Sequence, residues 1–238
     1  MEYFWIILIV ALASLIKGIT GFGFALVSLP LLMFWYAPKE LIPILFLCNL
    51  FASIIIVLQK KNRKLVNKQF KSLIIFGALF TTTGVVALHF ISDNGIITVI
   101  SVFLIILSIL SFINVKYSLK LTDISYKIAG ALLGFVTGFI SISGPPLALF
   151  LNSADTDNQT FREVFSWFSI VTACIALMGY ALLGLLTTET IKMTLLFLPI
   201  LFAGTYFGKR LNSKIPPTIF KKAVVSISLI ASVLLLIK

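Results

Sequence analysis

The chain has 238 residues, of which 60% are hydrophobic and 11% are charged, and its mean hydropathy is +1.12. A soluble domain is close to half apolar and a quarter charged, so this composition excludes a soluble globular protein and predicts an all-α protein that crosses a membrane several times. The net charge of +11 does not indicate nucleic-acid binding, because the cations cluster in short segments between apolar runs, as they do in cytoplasmic loops.

The first predicted element is residues 3–36, an apolar segment with an interruption in its middle. Its opening run, residues 3–16, has no basic n-region and no Ala-x-Ala-like cleavage site, so we expect it to be retained and not removed as a signal peptide. Small and polar residues then interrupt it, at Lys17, Gly18, Thr20, Gly21 and Gly23. Glycine loosens a helix and frees polar backbone groups, which is costly inside a membrane. We therefore predict a broken or re-entrant helix here.

Six further apolar runs are each long enough to cross the roughly 30 Å of hydrocarbon in a bilayer. They divide into two sets of three. The first set follows residues 3–36, and the second set follows another interrupted segment, residues 128–151. The six runs lie near residues 41–58, 70–90, 95–114, 163–183, 190–208 and 219–237.

The second interrupted segment repeats the motif of the first. Thr137-Gly138-Phe139 lies 117 positions after Thr20-Gly21-Phe22 and continues into Ser141, Ser143, Gly144, Pro145 and Pro146. Another glycine also recurs at a matching place in each half, Gly84 in the first and Gly204 in the second. We therefore predict two related halves, 1–117 and 118–238, which together form one membrane domain. Interrupted segments at matching places in two halves indicate the binding site of a secondary transporter.

The Lys and Arg residues predict which loops are cytoplasmic, because short cytoplasmic loops carry an excess of positive charge. Residues 59–71, 114–127 and 209–222 hold six, three and five of the 19 Lys and Arg residues. We expect all three segments to be cytoplasmic. The loops at 91–95 and 184–190 are short and nearly free of these cations, so we expect them to face outward.

With residues 209–222 inside, residues 128–151 must leave the cytoplasm and return to it. Two arms that share 24 residues are each about 18 Å long, too short for two crossings. We therefore predict a re-entrant hairpin or broken helix pair that bends near Ser141–Pro146, with the first half inverted relative to the second. The alternative is eight plain spans, which would place a strongly basic loop outside. The acidic residues Asp155 and Asp157 fit the hairpin poorly, although acidic residues count for little in this rule.

The two predicted breaks are candidate sites for an anion. Breaks near Gly21–Gly23 and Ser141–Pro146 would expose backbone N–H groups at the positive ends of half-helices. Hydroxyl groups add donors, and the whole predicted site consists of Thr20, Gly21, Phe22, Gly23, Thr137, Gly138, Ser141, Ser143, Gly144 and Pro145. The alternative is that small residues let helices pack closely. Duplication favours the site, and we expect the second copy to dominate binding.

Three further polar residues have both a functional and a structural interpretation. Lys17 either balances an anion at the first motif or extends from a helix end to the interface. Arg162 either contacts substrate near the mouth of the pathway or places a charge at a helix end. Asn49 either lines the pathway or hydrogen-bonds between helices.

The sequence places no acidic residue in the middle of a predicted membrane span. All eight fall in loops or at span ends, namely Glu2, Glu40, Asp93, Asp123, Asp155, Asp157, Glu163 and Glu189. Proton-coupled transporters usually place a carboxylate in the middle of the membrane. An anion that leaves a negative interior gains about 2.3 kcal/mol per 100 mV without any coupling, which favours export.

These residues carry a resemblance to a known family. Gly18-x-x-Gly21-Phe22-Gly23 running to Pro30, then Gly134-x-x-x-Gly138 followed by Ser143-Gly144-Pro145-Pro146-Leu147, resembles the TauE/SafE sulfite-exporter family over nearly the whole chain. The resemblance implies a multi-pass permease for sulfite, organosulfonates or related anions. It places binding on Gly21, Phe22, Gly23, Gly138, Ser143, Gly144 and Pro145. The chain departs from the family in having Gly23-Phe24-Ala25 where a run of three glycines often occurs, which puts the substrate in question.

The sequence therefore predicts a transporter and not an enzyme, because it contains none of the His-Glu-x-x-His or Gly-x-Ser-x-Gly motifs of known hydrolases. We expect a small anionic substrate, the lipid bilayer as partner, no nucleic acid, no cofactor and no metal, and a bacterial-type plasma membrane location. The alternative is a non-catalytic membrane subunit or a channel-like component of a larger complex. Channel-like and alternating-access transport both fit the sequence, as does any oligomeric state.

Overall fold

The computed structural model describes residues 2–58, 68–113, 121–152, 156, 158–211 and 217–237. These ranges contain ten α-helices and no strand, so the predicted all-α fold is confirmed. The helices are α1 (Glu2–Thr20), α2 (Phe24–Leu32), α3 (Pro38–Leu58), α4 (Lys68–Phe90), α5 (Asp93–Ile113), α6 (Asp123–Ile140), α7 (Gly144–Asn152), α8 (Asn158–Leu182), α9 (Thr188–Leu211) and α10 (Pro217–Ile237).

The long helices have the length and composition of membrane spans. Among the described residues, α1, α4, α5, α6, α8 and α9 contain stretches long and apolar enough to cross a bilayer. The helices α3 and α10 have 21 residues each. Large apolar side chains lie on the outside of the helices, as Phe90 (79% exposed) and Leu182 (88% exposed) illustrate. The six predicted apolar runs coincide with α3, α4, α5, α8, α9 and α10 to within a few residues.

Two short helices follow the two predicted breaks. Both α2 and α7 have nine residues, about 14 Å of helix and half of the hydrocarbon thickness. Each is separated by three residues from the long helix before it, α1 or α6. Each broken pair then precedes three long helices, which confirms the predicted order of elements.

The two arms of the second broken pair are unequal, and the predicted arms of equal length were wrong. The helix α6 has 18 residues and is long enough to span on its own, whereas α7 has nine. The difference arises at the start of α6. Thr122 and Ser125 form a reciprocal capping box, in which the Ser125 N–H donates to the Thr122 hydroxyl and the Thr122 N–H donates to the Ser125 hydroxyl. The cap starts the helix at Asp123, five residues before the start of the predicted segment 128–151.

The helix α7 turns back along α6. The rings of Phe150 and Tyr126 meet edge to face with centroids 5.3 Å apart. Tyr126 lies about 22 Å before the break along α6, whereas Phe150 lies about 10 Å after it along α7. A straight continuation would separate these two residues by about 30 Å. The contact therefore requires that α7 folds back along α6 at the break, and the re-entrant arrangement in the membrane stays a prediction.

The helices form two compact units. One unit contains α1, α2, the start of α3 up to Cys48, α5, α9 and α10. The other contains the rest of α3 from Asn49, together with α4, α6, α7 and α8. Each unit therefore combines helices from both predicted halves of the chain, since α1 packs on α9 and α6 packs on α4. The relation of the two halves as an inverted repeat stays a prediction.

Glycine residues bring α6 and α4 into backbone contact. A Cβ atom at Gly130, Gly134 or Gly138 of α6 would collide with the backbone of Leu73, Gly77 or Thr81 of α4, respectively. The spacing of four residues keeps these glycines on one side of the helix, as in small-residue packing motifs of membrane helices. The Thr81 hydroxyl lies 3.2 Å from the Gly134 carbonyl oxygen and donates across the same interface.

The helices α1 and α9 meet in a similar way. A Cβ atom at Gly208 of α9 would collide with the Leu15 carbonyl oxygen and approach the Gly18 Cα of α1. Gly84 of α4 meets the Phe135 carbonyl and Gly138 of α6 in the same pattern. Gly208 is thus the counterpart of Gly84 by contact, and our pairing of Gly84 with Gly204 was wrong by one helical turn.

Candidate functional site

The first break is a tight turn that depends on glycine. Gly21 and Gly23 have φ values of 85° and 101°, in the left-handed region that glycine adopts without strain. The Gly21 N–H donates to the Lys17 carbonyl at 2.8 Å and so closes the last turn of α1. The Thr20 hydroxyl donates within this turn and accepts the Phe22 N–H at 3.2 Å. Thr20 therefore holds the turn, and its hydroxyl is already engaged there.

The start of α2 presents three backbone N–H groups. The first N–H that bonds back within the helix is that of Val27, which donates to the Gly23 carbonyl at 3.3 Å. The preceding residues Phe24, Ala25 and Leu26 are not prolines and each have an N–H, and no side chain caps this end of the helix. Unpaired N–H groups and the positive end of the helix dipole favour an anion at this position.

Lys17 lies in the last turn of α1, directly before the first break. Its side chain is only 1% exposed, so it does not extend to the surface of the chain, and its burial argues against the interpretation as an interfacial lysine. The thiol of Cys48, on α3, lies within electrostatic range of its ammonium group. Lys17 therefore places an amino group inside the protein, in the helical turn that precedes the break.

The second break uses serine where the first uses glycine. Ser141 follows the last residue of α6 and has φ 59° and ψ 15°, the only positive φ of a non-glycine residue among the described residues. Its N–H donates to the Thr137 carbonyl at 2.8 Å. The side chain is 4% exposed, and its hydroxyl has no hydrogen-bond partner within the described part of the chain. Ser143 is also buried, and its carbonyl accepts the Leu147 N–H at 3.0 Å.

The second break has fewer backbone donors than we expected. Pro145 and Pro146 occupy the second and third positions of α7, and proline has no N–H. Gly144 is therefore the only residue of the first three in α7 that has an N–H. The prediction that both breaks present several N–H groups applies to α2 and not to α7.

The two Thr-Gly-Phe copies occupy different positions in the structure. Thr20-Gly21-Phe22 crosses the first break, whereas Thr137 and Gly138 lie inside α6, before the second break. The Thr137 hydroxyl donates to the Leu133 carbonyl at 2.5 Å, and Gly138 packs against Thr81. The two turns therefore correspond at a spacing of 120 residues, which pairs Gly21 with Ser141. The two Thr-Gly-Phe motifs are 117 residues apart and do not correspond in the structure.

The remaining predicted residues lie on α3 and α8. Asn49 is half-buried near the middle of α3. Arg162 lies in the first turns of α8, and its side chain falls outside the described residues. One buried residue that the sequence did not single out is Tyr180, whose hydroxyl donates to the Gly138 carbonyl at 2.6 Å. A tyrosine in an apolar span was a usable signal, because a buried tyrosine hydroxyl usually has a partner.

The structure has long apolar helices, and two of them, α1 and α6, are each followed by a break and a short half-helix. This arrangement is typical of the class of multi-pass membrane transporters. Residues 6–235 match the family described as Sulfite exporter TauE/SafE, and the chain belongs to that family. No curated protein and no solved structure matched the chain. The predicted resemblance is confirmed over nearly the full chain. The protein is thus a multi-pass membrane transporter from a family of transporters for small anions.

Proposed function

We propose that the protein carries sulfite, an organosulfonate or a related sulfur oxyanion out of the cell, across a bacterial-type plasma membrane. The observation that carries this proposal is the first break, where three N–H groups begin α2 a few residues after the buried Lys17 in the chain. Both features favour negative charge, and neither is a carboxylate that would bind a proton or a metal cation.

An oxyanion fits these donors better than a cation or a neutral solute. Its oxygens are strong hydrogen-bond acceptors, and bonds to charged acceptors are shorter and stronger than neutral ones. At the first break, the backbone N–H groups of Phe24, Ala25 and Leu26 supply donors of fixed position. At the second break, Ser141, Ser143 and Gly144 supply two hydroxyls and one N–H.

Export follows from the sign of the charge. A cell interior is negative, so an anion that moves outward gains about 2.3 kcal/mol per elementary charge at 100 mV. Of the six acidic residues that the structure describes, Glu2, Glu40, Asp93, Asp123 and Glu189 are exposed at helix ends, and Glu163 is half-buried in the second turn of α8. The five exposed residues are poorly placed to couple transport to protons. The membrane potential alone is a sufficient driving force for this direction.

The test is flux in proteoliposomes that contain the purified protein. An imposed potential, negative on the side of the loaded anion, should drive sulfite or a small sulfonate across the membrane. A panel with sulfate, phosphate and chloride identifies the preferred anion. A folded protein, shown by a cooperative thermal transition, that moves none of these anions would contradict the proposal and favour a role as a subunit of a larger complex.

A further inference from the structure

The two breaks begin with the same backbone conformation, formed by different residues. In each, the residue after the last helical position has a positive φ, 85° at Gly21 and 59° at Ser141. In each, the N–H of that residue donates to the carbonyl four residues earlier at 2.8 Å, and a nine-residue helix begins three residues later. The first break therefore has glycine at the position that Ser141 occupies in the second.

Serine is the less stable choice for that position on two grounds. A side chain in the left-handed region brings Cβ too close to the following carbonyl, which glycine avoids. A buried hydroxyl without a partner also loses its hydrogen bonds to water and gains none in the protein. Ser141 has both disadvantages, with 4% exposure and no hydrogen bond from its Oγ within the described residues.

Strained backbone and unpaired buried groups of this kind concentrate at functional sites, where a ligand completes them. We propose that the Ser141 hydroxyl is a specificity-determining donor that hydrogen-bonds an oxygen of the transported oxyanion; this proposal rests on the proposed function. The prolines at positions 145 and 146 remove two of the N–H groups that would otherwise bind an anion at α7. The second break thus recognises its ligand through a directional hydroxyl, followed three residues later by the Gly144 N–H, and favours acceptors with oxygen atoms over a halide.

The decisive variant is Ser141→Gly, which gives the second break the residue that the first already has. Without ligand, the variant should unfold at a higher temperature than the wild type, because strain and an unpaired hydroxyl are removed. Sulfite should raise its unfolding temperature less than that of the wild type. In proteoliposomes, KM for sulfite should rise at least about tenfold, the size expected for a lost hydrogen bond to a charged group.

A matched control is Ser101→Ala. Ser101 is fully buried and its hydroxyl also has no partner within the described residues, but it lies in the unbroken helix α5. This variant should leave flux and its KM unchanged. The variant Ser141→Ala separates the two effects at the break, because it removes the hydroxyl and retains the backbone strain. It should lose affinity as Ser141→Gly does, without the same gain in unfolding temperature.

Two results would overturn this proposal while the proposed function stands. One is a Ser141→Gly protein that transports sulfite with the wild-type KM. The other is a Ser141→Gly protein that unfolds at a lower temperature, since the hydroxyl would then serve the fold. A wild-type protein that neither transports nor is stabilised by any of the oxyanions would instead overturn both the proposed function and the role of Ser141.

Discussion

The hydroxyl of Tyr180 donates a hydrogen bond to the carbonyl oxygen of Gly138 at 2.6 Å. Gly138 is in the last turn of α6, where the final carbonyls have no partner within the helix. Tyr180 lies on α8 and is completely buried, so this bond supplies the missing partner from outside the helix. It fixes the end of α6 three residues before the turn at Ser141.

We expect Tyr180→Phe to destabilise the protein by about 1 kcal/mol, because hydrogen bonds between membrane helices contribute on average about 0.6 and at most about 1.7 kcal/mol. The variant keeps the ring and therefore leaves the packing of α8 unchanged. Thermal unfolding in detergent measures the effect, and a protein of this size should lose about 2–4 °C. Tyr206→Phe is the control, since Tyr206 is 56% exposed and its pair with Arg210 lies at the surface. Equal losses in the two variants would contradict a specific role for Tyr180.

A second prediction concerns the contact between α6 and α4. Gly134→Leu would drive a side chain into the backbone of Gly77, and a backbone cannot move aside as a flexible side chain can. Inserting atoms into a packed interior costs about 1–3 kcal/mol and sometimes more, so we expect reduced yield and a lower unfolding temperature. Leu132→Ala, on the exposed side of the same helix, should have little effect. An unfolding temperature that Gly134→Leu leaves unchanged would mean that the two helices do not meet at this point.

The sequence predicted the helices well because each long span is a run of apolar residues with few interruptions. It also placed both breaks, since Gly21, Gly23 and the pair Pro145–Pro146 are poor helix residues. It did not predict which residues of the two breaks correspond to each other. The similarity of the letters Thr-Gly-Phe suggested a spacing of 117, but the position of each turn is set by the residue with positive φ, which is Gly21 in one copy and Ser141 in the other.

The features that the sequence did not reveal depend on partners far away in the chain. The role of Gly138 follows from Thr81 and Tyr180, which lie on two other helices. The length of α6 follows from a capping box between Thr122 and Ser125, whose second member is serine and not the usual glutamate or glutamine. Apolar periodicity carries no information about either contact.

A third prediction concerns the buried Lys17. Lys17→Met keeps the length of the side chain and removes its charge. If the ammonium attracts the anion, flux should fall about tenfold or more, a loss of at least about 1.4 kcal/mol of interaction. Stability should not fall, because replacing a buried charged group by an apolar residue of similar volume is often neutral or stabilising. Flux and thermal unfolding measured on the same preparation distinguish the two effects.

The exposed Lys71, on α4, provides the control for Lys17. Lys71→Met changes the net charge of the protein by the same amount but leaves the interior unchanged, so its flux should equal that of the wild type. If Lys17→Met transports normally, then Lys17 is not a charge partner of the substrate. If it fails to fold, its ammonium has a structural role, and Lys17→Arg, which keeps the charge, should restore folding.

The last prediction concerns the sides of the membrane on which the loops lie. The contact between Phe150 and Tyr126 brings the end of α7 back toward the start of α6. On this basis, and from the positive charge of residues 209–222, we expect Asp155→Cys and Asn212→Cys both to react from the cytoplasmic face. Positions 155 and 212 themselves lie outside the described residues. The measurement is labelling with a membrane-impermeant maleimide, after replacement of the native Cys48 and Cys174.

A third cysteine makes this labelling experiment decisive between the two topologies. Lys116→Cys marks the basic segment before α6, which we expect to be cytoplasmic from the positive-inside rule. A re-entrant α6–α7 pair places positions 116, 155 and 212 on one side of the membrane. Eight plain spans would instead place 155 and 212 together on the side opposite to 116, because residues 128–151 would then cross completely. Labelling of 116 from one face and of 155 and 212 from the other would therefore show that α7 completes a crossing and would refute the inverted arrangement of the two halves.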